Sequence, residues 1–394
     1  MVFESIKQRD DSYVLHTYNR YQVALSHGKN ATVWDFDGKQ YVDMTSGIGV
    51  NCLGFADEGW QKAITTQLGK VQHLSNLYYT KPCIDAAQML CERTGMSKVF
   101  FANSGAESNE GAIKAARKYS FMKYGAGRST IITLENSFHG RTITTLAATG
   151  QDVFHNYFFP FTEGFVFAKP NDMADMLDKM DDSVCAVMIE LIQGEGGVMP
   201  LDSEYVLALA DECKKRDILL IVDEVQTGVG RTGSLYCFMQ MGISPDIVTS
   251  AKGIGGGLPL GAVLFGENAA TALTAGDHAT TFGGNPIACA GAVEILGRMD
   301  DEFLALVREK GSYIAEKVKE MKHVKAVSGM GLMIGIELED NCPATSADVV
   351  NRGIGCGVLL LTAKQKVRLL PPLSITYDEI DEGLKALSKA LTQI

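Results

Sequence analysis

The chain has 394 residues, of which 46% are apolar and 21% charged, and its formal net charge is -11. This length can bury one large core or two linked ones, and the composition is typical of a soluble globular protein. The acidic charge and the lack of any Lys/Arg-rich block argue against a nucleic-acid partner, and no apolar run is long enough to span a bilayer.

The N-terminal part contains a predicted hairpin in WDFDGKQYVDM, residues 34–44, with Asp37-Gly38 at its turn. Further along, short apolar runs alternate with amphipathic segments such as Glu107 to Lys123 and Glu204 to Lys215. Unbroken runs of Val, Ile and Leu are typical of strands covered on both faces, so the alternation predicts a mainly parallel α/β sheet flanked by helices. The predicted strands of this sheet lie at 98–101, 129–134, 184–190, 218–224, 246–250 and 261–265.

The C-terminal part has a different pattern. A long helical region is followed by two strands within 326–339, a helix, short strands at 358–361 and 366–369, and a last helix from Asp378. This order predicts a smaller α+β domain. We therefore divide the chain into an N-terminal segment, 1–48, that packs with the small domain, a large cofactor-binding domain, 49–285, and the C-terminal small domain, 286–394.

The cysteines bear on the compartment. They number nine and include no C-x-x-C pair. This usage argues against a disulfide framework or a zinc ribbon and indicates free thiols in a reducing environment. The opening residues, MVFESIKQRDDSY, lack the apolar core of a secretory signal. We expect a cytoplasmic protein without a metal site.

A phosphate cradle is indicated directly after the strand at 98–101. Ser104 and Glu107 form an S-x-x-E capping box that opens a helix. Gly105 and Ala106 then place free backbone N–H groups at a helix N-terminus, which suits a phosphate. An isolated S-x-x-E more often caps a helix that binds nothing, so this motif needs support from other residues.

That support comes from two neighbouring strands, because ligands in such sheets lie at the carboxyl ends of strands. Asp223 ends the strand at 218–224, and Lys252 follows the strand at 246–250. Lys252 alone would be interpreted as a surface charge. Pyridoxal phosphate, however, needs a phosphate cradle, a carboxylate for its pyridinium nitrogen and a lysine for its aldehyde. The three features together indicate this cofactor.

A rival interpretation comes from GVGRTG, 228–233, which matches the G-x-G-x-x-G nucleotide-binding pattern and follows a strand. With GIGGG after Lys252, it raises the alternative of a non-catalytic nucleotide-binding module. DEVQT separates the strand from the first glycine, however, and no clear helix opening follows. We therefore expect no Rossmann site here.

Six segments resemble, in order, the motifs of class III (subgroup II) pyridoxal-phosphate aminotransferases. The resemblance covers nearly the whole chain and implies the fold-type I transferase architecture, an enzyme and a pyridoxal 5'-phosphate cofactor. The segments that carry it are NSGAESNEGAIKAARK, NSFHGRT, IQGEGGV, IVDEVQTGVGRTG, DIVTSAKGIGGGLPLGAV and HATTFGGNP.

The resemblance implies roles for the residues around the cofactor. Lys252 matches the Schiff-base lysine, which also moves the proton, and Asp223 matches the partner of the pyridinium nitrogen. Phe138 matches the aromatic that stacks on the ring. Thr281 matches a hydroxyl that reaches the phosphate of the neighbouring subunit, which implies a homodimer with shared active sites. The remaining cofactor-binding positions are Gly105, Ala106, Glu224, Val225 and Gln226, the last on the phenolic oxygen.

Substrate recognition is implied for two arginines, whose planar forks suit carboxylates. Arg141 matches the residue that holds the α-carboxylate of acetylornithine, with Thr280 beside it. Arg368 matches the arginine that binds 2-oxoglutarate or glutamate. Glu195 matches a switch residue that pairs with Arg368 while the amine donor is bound.

Within the class, the sequence is similar to the branch that takes the terminal amino group of N2-acetylornithine in arginine biosynthesis. Ile48 stands where ornithine-specific sequences have a tyrosine, so an apolar wall there disfavours the charged α-amino group of free ornithine. Succinylornithine, lysine and 4-aminobutyrate stay open as donors. Three positions depart from the family pattern, Phe55, Leu191 and Ala279, and Ala279 leaves fine specificity open because it lies beside Thr280 and Thr281.

Overall fold

The structure is a computed structural model that describes residues 2–393. Its helices are α1 (Val2–Tyr13), α2 (Ser46–Gly49), α3 (Glu58–Leu68), α4 (Lys81–Thr94), α5 (Gly105–Tyr124), α6 (Ile143–Ala148), α7 (Met173–Lys179), α8 (Ser203–Arg216), α9 (Cys237–Met241), α10 (Pro286–Arg298), α11 (Asp301–Lys319), α12 (Ser346–Cys356) and α13 (Tyr377–Thr392). Its strands are β1 (Leu25–Lys29), β2 (Thr32–Asp35), β3 (Gln40–Asp43), β4 (Lys98–Ala102), β5 (Thr130–Leu134), β6 (Phe165–Ala168), β7 (Val184–Ile189), β8 (Ile192–Gln193), β9 (Met199–Pro200), β10 (Leu219–Asp223), β11 (Ile247–Ser250), β12 (Gly261–Phe265), β13 (Val324–Met330), β14 (Met333–Leu338), β15 (Val358–Leu359), β16 (Leu361–Ala363) and β17 (Lys366–Leu369).

Seven strands form one large sheet in the order β4-β12-β11-β10-β7-β5-β6. Only β12 runs antiparallel to its neighbours. Strands β7, β10 and β11 are buried along their whole length, which explains their unbroken apolar runs. The predicted mainly parallel α/β sheet is confirmed. Strand β6, with the sequence FVFA, was not among the predicted strands.

Two smaller sheets are built from the ends of the chain. One has the order β1-β2-β3-β15 and the other β13-β14-β17-β16. The predicted N-terminal hairpin forms, with Trp34 opposite Gln40 and Gly38 at a φ of 82° in the turn. Because β3 pairs with β15, the N-terminal segment shares a sheet with C-terminal residues. The domain boundaries at residues 48 and 285 stay a prediction.

Helix α5 starts as the sequence predicts, with one correction. The Ser104 side chain accepts the backbone N–H of Glu107 at 3.2 Å. The reciprocal bond of a capping box does not form with Ser104. Instead, the Glu107 carboxylate accepts the backbone N–H and the side-chain amide of Asn103, each at 2.7 Å, because Asn103 offers two donors one residue earlier.

The GVGRTG segment is a loop. It belongs to a run of turns and bends between the end of β10 at Asp223 and the start of α9 at Cys237. No helix begins at its glycines, so the dinucleotide fingerprint is not formed. All nine cysteines are free. None of the helices in residues 2–393 combines the length and apolarity needed to cross a membrane.

Candidate active site

A cavity of about 470 Å³ opens at the carboxyl ends of the central strands. This is the edge at which open α/β sheets bind their ligands. Predicted site residues from five separate segments of the sequence meet in it. They are Gly105, Ala106, Phe138, Arg141, Glu195, Asp223, Val225, Gln226 and Lys252.

Asp223 lines the cavity and is held in place by hydrogen bonds. Its side chain is 4% exposed, and Oδ2 accepts hydrogen bonds from Asn109 Nδ2 and His139 Nδ1, both at 2.8 Å. Its Oδ1 accepts the backbone N–H of Val225 at 3.0 Å. The same Asn109 amide also donates to the backbone carbonyl of His139 at 2.7 Å. A buried carboxylate with this many donors is stabilised in one orientation.

Lys252 follows β11 in a single 3-10 turn, Lys252–Ile254. Its φ is 50°, a left-handed conformation that is rare for residues other than glycine and that tends to occur at functional sites. Burial lowers the pKa of Lys252 below its ordinary value. The nearby Glu195 carboxylate acts in the opposite direction and the Arg368 guanidinium acts with burial. A larger fraction of its amine is therefore neutral near pH 7 than in water.

The N-terminus of α5 faces the same space. Gly105 and Ala106 are its first two residues, so their backbone N–H groups have no partner within the helix. A Cβ on Gly105 would lie 2.8 Å from Val225 Cγ1, so glycine lets this helix end approach the loop after Asp223. The arrangement provides donors and positive dipole charge for an anion.

Part of the cavity wall is aromatic. Phe138 lines the cavity, and its ring contacts Phe154 edge-on at 6.2 Å between centroids. The Arg141 guanidinium lies 4.0 Å from the centre of the Phe154 ring and 5.4 Å from that of Phe138. Cation–π contacts thus orient an exposed arginine at the mouth of the cavity.

Arg368 forms an ion pair with Glu195 in the same cavity region as Lys252. Its Nη1 and Nη2 donate to the two Glu195 oxygens at 2.6 and 3.3 Å, and Nη1 also donates to Gln226 Oε1 at 3.2 Å. Arg368 is 2% exposed, and its Nε has no partner among the described residues. Burial acts to raise the pKa of Glu195, but the Arg368 guanidinium outweighs it and holds that pKa below its ordinary value. The pair is ionised at neutral pH.

Four of the predicted positions lie elsewhere. Glu224 points away from the cavity, where its carboxylate accepts the backbone N–H of Phe238 at 2.7 Å and the hydroxyl of Thr227. Thr280 accepts a bond from Asn103 Nδ2 at 2.8 Å, and Thr281 is exposed. Ile48 is 42% exposed in a left-handed turn, with a φ of 65°. The roles of these four residues stay predictions.

Three residues of the site were missed by the sequence analysis. They are His139 and Asn109, which hold Asp223, and Glu190, which lines the cavity. Glu190 directly follows β7, so the strand-end rule that selected Asp223 could have found it. His139 and Asn109 had no such signal, because their role depends on contacts across 84 and 114 residues of sequence.

The cavity fits pyridoxal phosphate. The free N–H groups of α5 suit its phosphate, the oriented Asp223 suits its ring nitrogen, and Phe138 offers an aromatic face. Lys252 enters the same cavity with an amine whose pKa burial has lowered. The phosphate, ring nitrogen, ring face and aldehyde of the cofactor thus each have a chemically matched group in one cavity.

Comparison with known proteins gives an independent result. The Aminotransferase class-III family matches residues 13–391. The chain is 50% identical to an acetylornithine aminotransferase from Haemophilus ducreyi over 100% of both chains. An ornithine aminotransferase structure from Toxoplasma gondii superposes with a TM-score of 0.94 at 30% identity, covering 99% of this chain and 95% of that one.

An N-acetylornithine aminotransferase structure from Stenotrophomonas maltophilia has a TM-score of 0.84 at 36% identity, covering 96% of this chain and 97% of that one. The family match spans nearly the whole chain, and the cavity supplies the groups that the family's cofactor requires. The chain therefore belongs to the class-III aminotransferases and is a pyridoxal-phosphate-dependent enzyme.

Proposed function

We propose that this enzyme transfers the terminal amino group of N2-acetylornithine to 2-oxoglutarate, giving N-acetylglutamate 5-semialdehyde and glutamate. The observation that carries the proposal is that one predicted substrate arginine is exposed and the other is buried in an ion pair. Arg141 is exposed at the mouth of the cavity, whereas Arg368 is buried and neutralised by Glu195. The relatives named acetylornithine aminotransferase, 39–50% identical over the whole chain, support this donor.

The residues of this chain would bind and orient the cofactor as follows. The N–H groups of Gly105 and Ala106 would hold its phosphate. Asp223, held by His139 and Asn109, would keep a proton on the ring nitrogen. Bound and protonated there, the cofactor would supply an electron sink for the carbon that loses its proton. The Lys252 amine, whose pKa burial lowers, would accept that proton and return it to the carbon on the far side of the reacting nitrogen, a 1,3-proton shift.

The Glu195–Arg368 pair explains how one site accepts two different substrates in turn. While Glu195 neutralises Arg368, the inner part of the site presents no unpaired guanidinium, which suits a donor whose reacting end is an amine. When Glu195 releases Arg368, the guanidinium can bind the α-carboxylate of 2-oxoglutarate through two parallel bonds. Arg141 holds the α-carboxylate of the donor in the first half of the reaction.

A sister activity on succinylornithine, 4-aminobutyrate or ornithine is the second candidate. The ornithine aminotransferase from Toxoplasma gondii has the same fold at 30% identity, so the fold alone does not select the donor. Ile48, which lacks the hydroxyl of a tyrosine, favours an acylated α-amino group over a charged one.

We also propose a homodimer in the cytoplasm. Helix α1 buries none of its residues against its own chain, and Thr281 and Phe282 are exposed in the loop between β12 and α10. A second copy placed over these surfaces would let Thr281 reach the phosphate of its neighbour. Nine free thiols are consistent with a reducing compartment. Sedimentation of the active enzyme tests the dimer, and a fully active monomer would refute it.

The reaction class is tested with Lys252→Ala. We expect the wild-type protein to be yellow, and borohydride reduction to leave the cofactor attached to the peptide that contains Lys252. The variant should keep its fold by circular dichroism and lose turnover by at least about 10⁴-fold, since it loses both the attachment and the proton carrier. A colourless wild-type protein, or a variant with near-normal turnover, would contradict the proposal.

The donor is tested by comparing kcat/KM for acetylornithine, succinylornithine, ornithine and 4-aminobutyrate. We expect acetylornithine to exceed ornithine by about 10²-fold or more, because the free α-amino group would leave a charge unpaired against Ile48. Ile48→Tyr should narrow that ratio. Preference of the wild-type enzyme for 4-aminobutyrate or ornithine would overturn the donor assignment and leave the reaction class intact.

A further inference from the structure

Glu190 lies at the carboxyl end of β7 and is 5% exposed. The strand register pairs Ile189 with Val222, which brings Glu190 level with Asp223 on the neighbouring strand. It lines the cavity, yet the reaction steps above do not use it. A carboxylate that is this well buried needs hydrogen-bond donors for both of its oxygens.

Both donors are backbone N–H groups. Glu190 Oε1 accepts from Phe138 at 2.9 Å, and Oε2 accepts from Gly194 at 3.2 Å. Phe138 lies between β5 and α6, and Gly194 follows β8, so neither amide belongs to a helix or a strand. Backbone N–H groups outside regular structure need such a partner to be fixed in place.

The two anchored segments carry side chains that line the cavity. Phe138 supplies the aromatic wall, and Gly194 directly precedes Glu195, the partner of Arg368. Gly194 also presses against Gln226, since a Cβ on it would lie 2.3 Å from Gln226 Oε1. A shift of Gly194 would therefore move Glu195 and disturb Gln226 as well.

We propose that Glu190 is a positioning residue of the active site, which holds the Phe138 ring and the Glu195 loop in register by bonding one amide of each. The inference rests on the proposed cofactor chemistry. A glutamine has one acceptor oxygen and would turn its NH2 group toward the other backbone N–H, so it can hold only one of the two segments. A carboxylate is required to hold both.

Burial works against the ionised form of Glu190, and the two backbone N–H bonds work for it. Burial raises the pKa of Glu190 to about 7, with the His139 ring acting to lower it and the Asp223 carboxylate acting to raise it. The two N–H bonds favour the ionised form, in which both oxygens are acceptors. The geometry of the bonds, with one donor on each oxygen, is that of an ionised carboxylate.

The test compares Glu190→Gln with the matched control Asp246→Asn in cofactor-loaded enzyme. Asp246 lies at the other end of the sheet, where its carboxylate accepts the backbone N–H of Leu220 at 2.9 Å and the amide of Asn268 at 3.1 Å. Both variants lose one of two accepting oxygens, in a buried carboxylate for Glu190 and in a partly buried one for Asp246. We expect Glu190→Gln to raise the cofactor dissociation constant by about 10-fold, as for loss of a buried hydrogen bond.

Two further readouts separate positioning from plain stability. Glu190→Gln should alter the visible circular dichroism band of the bound cofactor and raise KM for 2-oxoglutarate more than KM for the amine donor. Asp246→Asn should change neither, even where its melting temperature falls as much. Equal spectra and equal affinities in the two variants would overturn the inference, while failure of the wild-type protein to bind the cofactor would instead refute the proposed function.

A measurement on the wild-type enzyme keeps the inference testable if Glu190→Gln does not fold. Residue-resolved hydrogen exchange of the loaded enzyme should show the amides of Phe138 and Gly194 exchanging at least about 100-fold slower than unstructured peptide, although they lie outside helices and strands. Exchange of both amides at the rate of free peptide would overturn the anchoring role.

Discussion

At the scale of single residues, the site depends on ionisable groups placed where water is excluded. Asp223 and Arg368 each form several hydrogen bonds, whereas the pKa of Lys252 is subject to opposing effects. Burial and Arg368 disfavour its charged form, and Glu195 favours it. Asp223 is therefore fixed in orientation by its hydrogen bonds, and Lys252 is a group that can change its protonation state.

The lysine makes the stability of the cofactor-free enzyme depend on pH. Because the folded-state pKa of Lys252 lies below its ordinary value of 10.5, a buried charge destabilises the fold fully below the folded-state pKa. That penalty disappears as pH rises from the depressed pKa to 10.5. We expect wild-type stability, relative to Lys252→Met, to rise through this window. Urea midpoints of both proteins between pH 7 and 10.5 measure the difference, and parallel curves would contradict the prediction.

At the scale of elements, helix α5 connects the cofactor cradle to two other parts of the site. Asn103, just before the helix, bonds Glu107 in its first turn and Thr280 in the loop that carries Thr281. Asn109, one turn further on, bonds Asp223. The N-terminus of α5 therefore sets the position of the phosphate donors relative to the carboxylate.

Gly105→Ala should damage this arrangement, because the new Cβ would lie 2.8 Å from Val225 Cγ1 and force the helix end or the loop to shift. We expect the cofactor dissociation constant to rise by about 10-fold. The control is Gly297→Ala in α10, an exposed site with open space, which should stabilise the protein by about 0.5–1 kcal/mol without changing cofactor affinity. Cofactor titration measures the affinity, and urea unfolding measures the stability. If both variants bound the cofactor equally well, the predicted role of the α5 N-terminus in holding the phosphate would be wrong.

At the scale of the whole molecule, one buried arginine joins the three predicted parts of the chain. Arg231 of the GVGRTG loop donates to the carbonyls of Leu332, at 3.0 Å, and Pro371, and to Ser46 Oγ at 3.3 Å. Burial lowers its pKa to about 10, and the nearby buried Asp43 acts in the opposite direction. Pro371 lies three residues after Arg368, so the same contacts help to place the substrate arginine.

Arg231→Met should leave those carbonyls without a donor and Asp43 without a nearby cation. We expect a loss of about 3–5 kcal/mol in the free energy of unfolding, typical of one partner removed from a buried charged group. Lys317→Ala, which removes the exposed pair with Asp381, is the control and should leave the unfolding midpoint nearly unchanged. Urea unfolding measures both, and an unchanged midpoint in Arg231→Met would show that the contacts are dispensable.

Much of the large domain could be predicted from local sequence patterns. Buried strands such as β7 and β10 are unbroken apolar runs, and their ends identify Asp223 and, two residues beyond β11, Lys252. The helix opening at Ser104 also follows from local chemistry. The family resemblance supplied the cofactor and the enzyme class, which the comparisons confirm.

What only the tertiary structure decided is which groups share a contact. The Glu224 carboxylate, for example, contacts Thr227 and the backbone of Phe238, and its predicted role beside the cofactor stays a prediction. The structural roles of Glu190, His139 and Asn109 were not predicted, because they depend on contacts between segments distant in sequence. The sequence by itself determined the strands, the helix opening and the chemical types at the strand ends, because these depend on near neighbours. The family resemblance implied that Arg368 pairs with Glu195, but no local pattern encodes which distant charge a buried group will meet, so packing decides the contact across 173 residues.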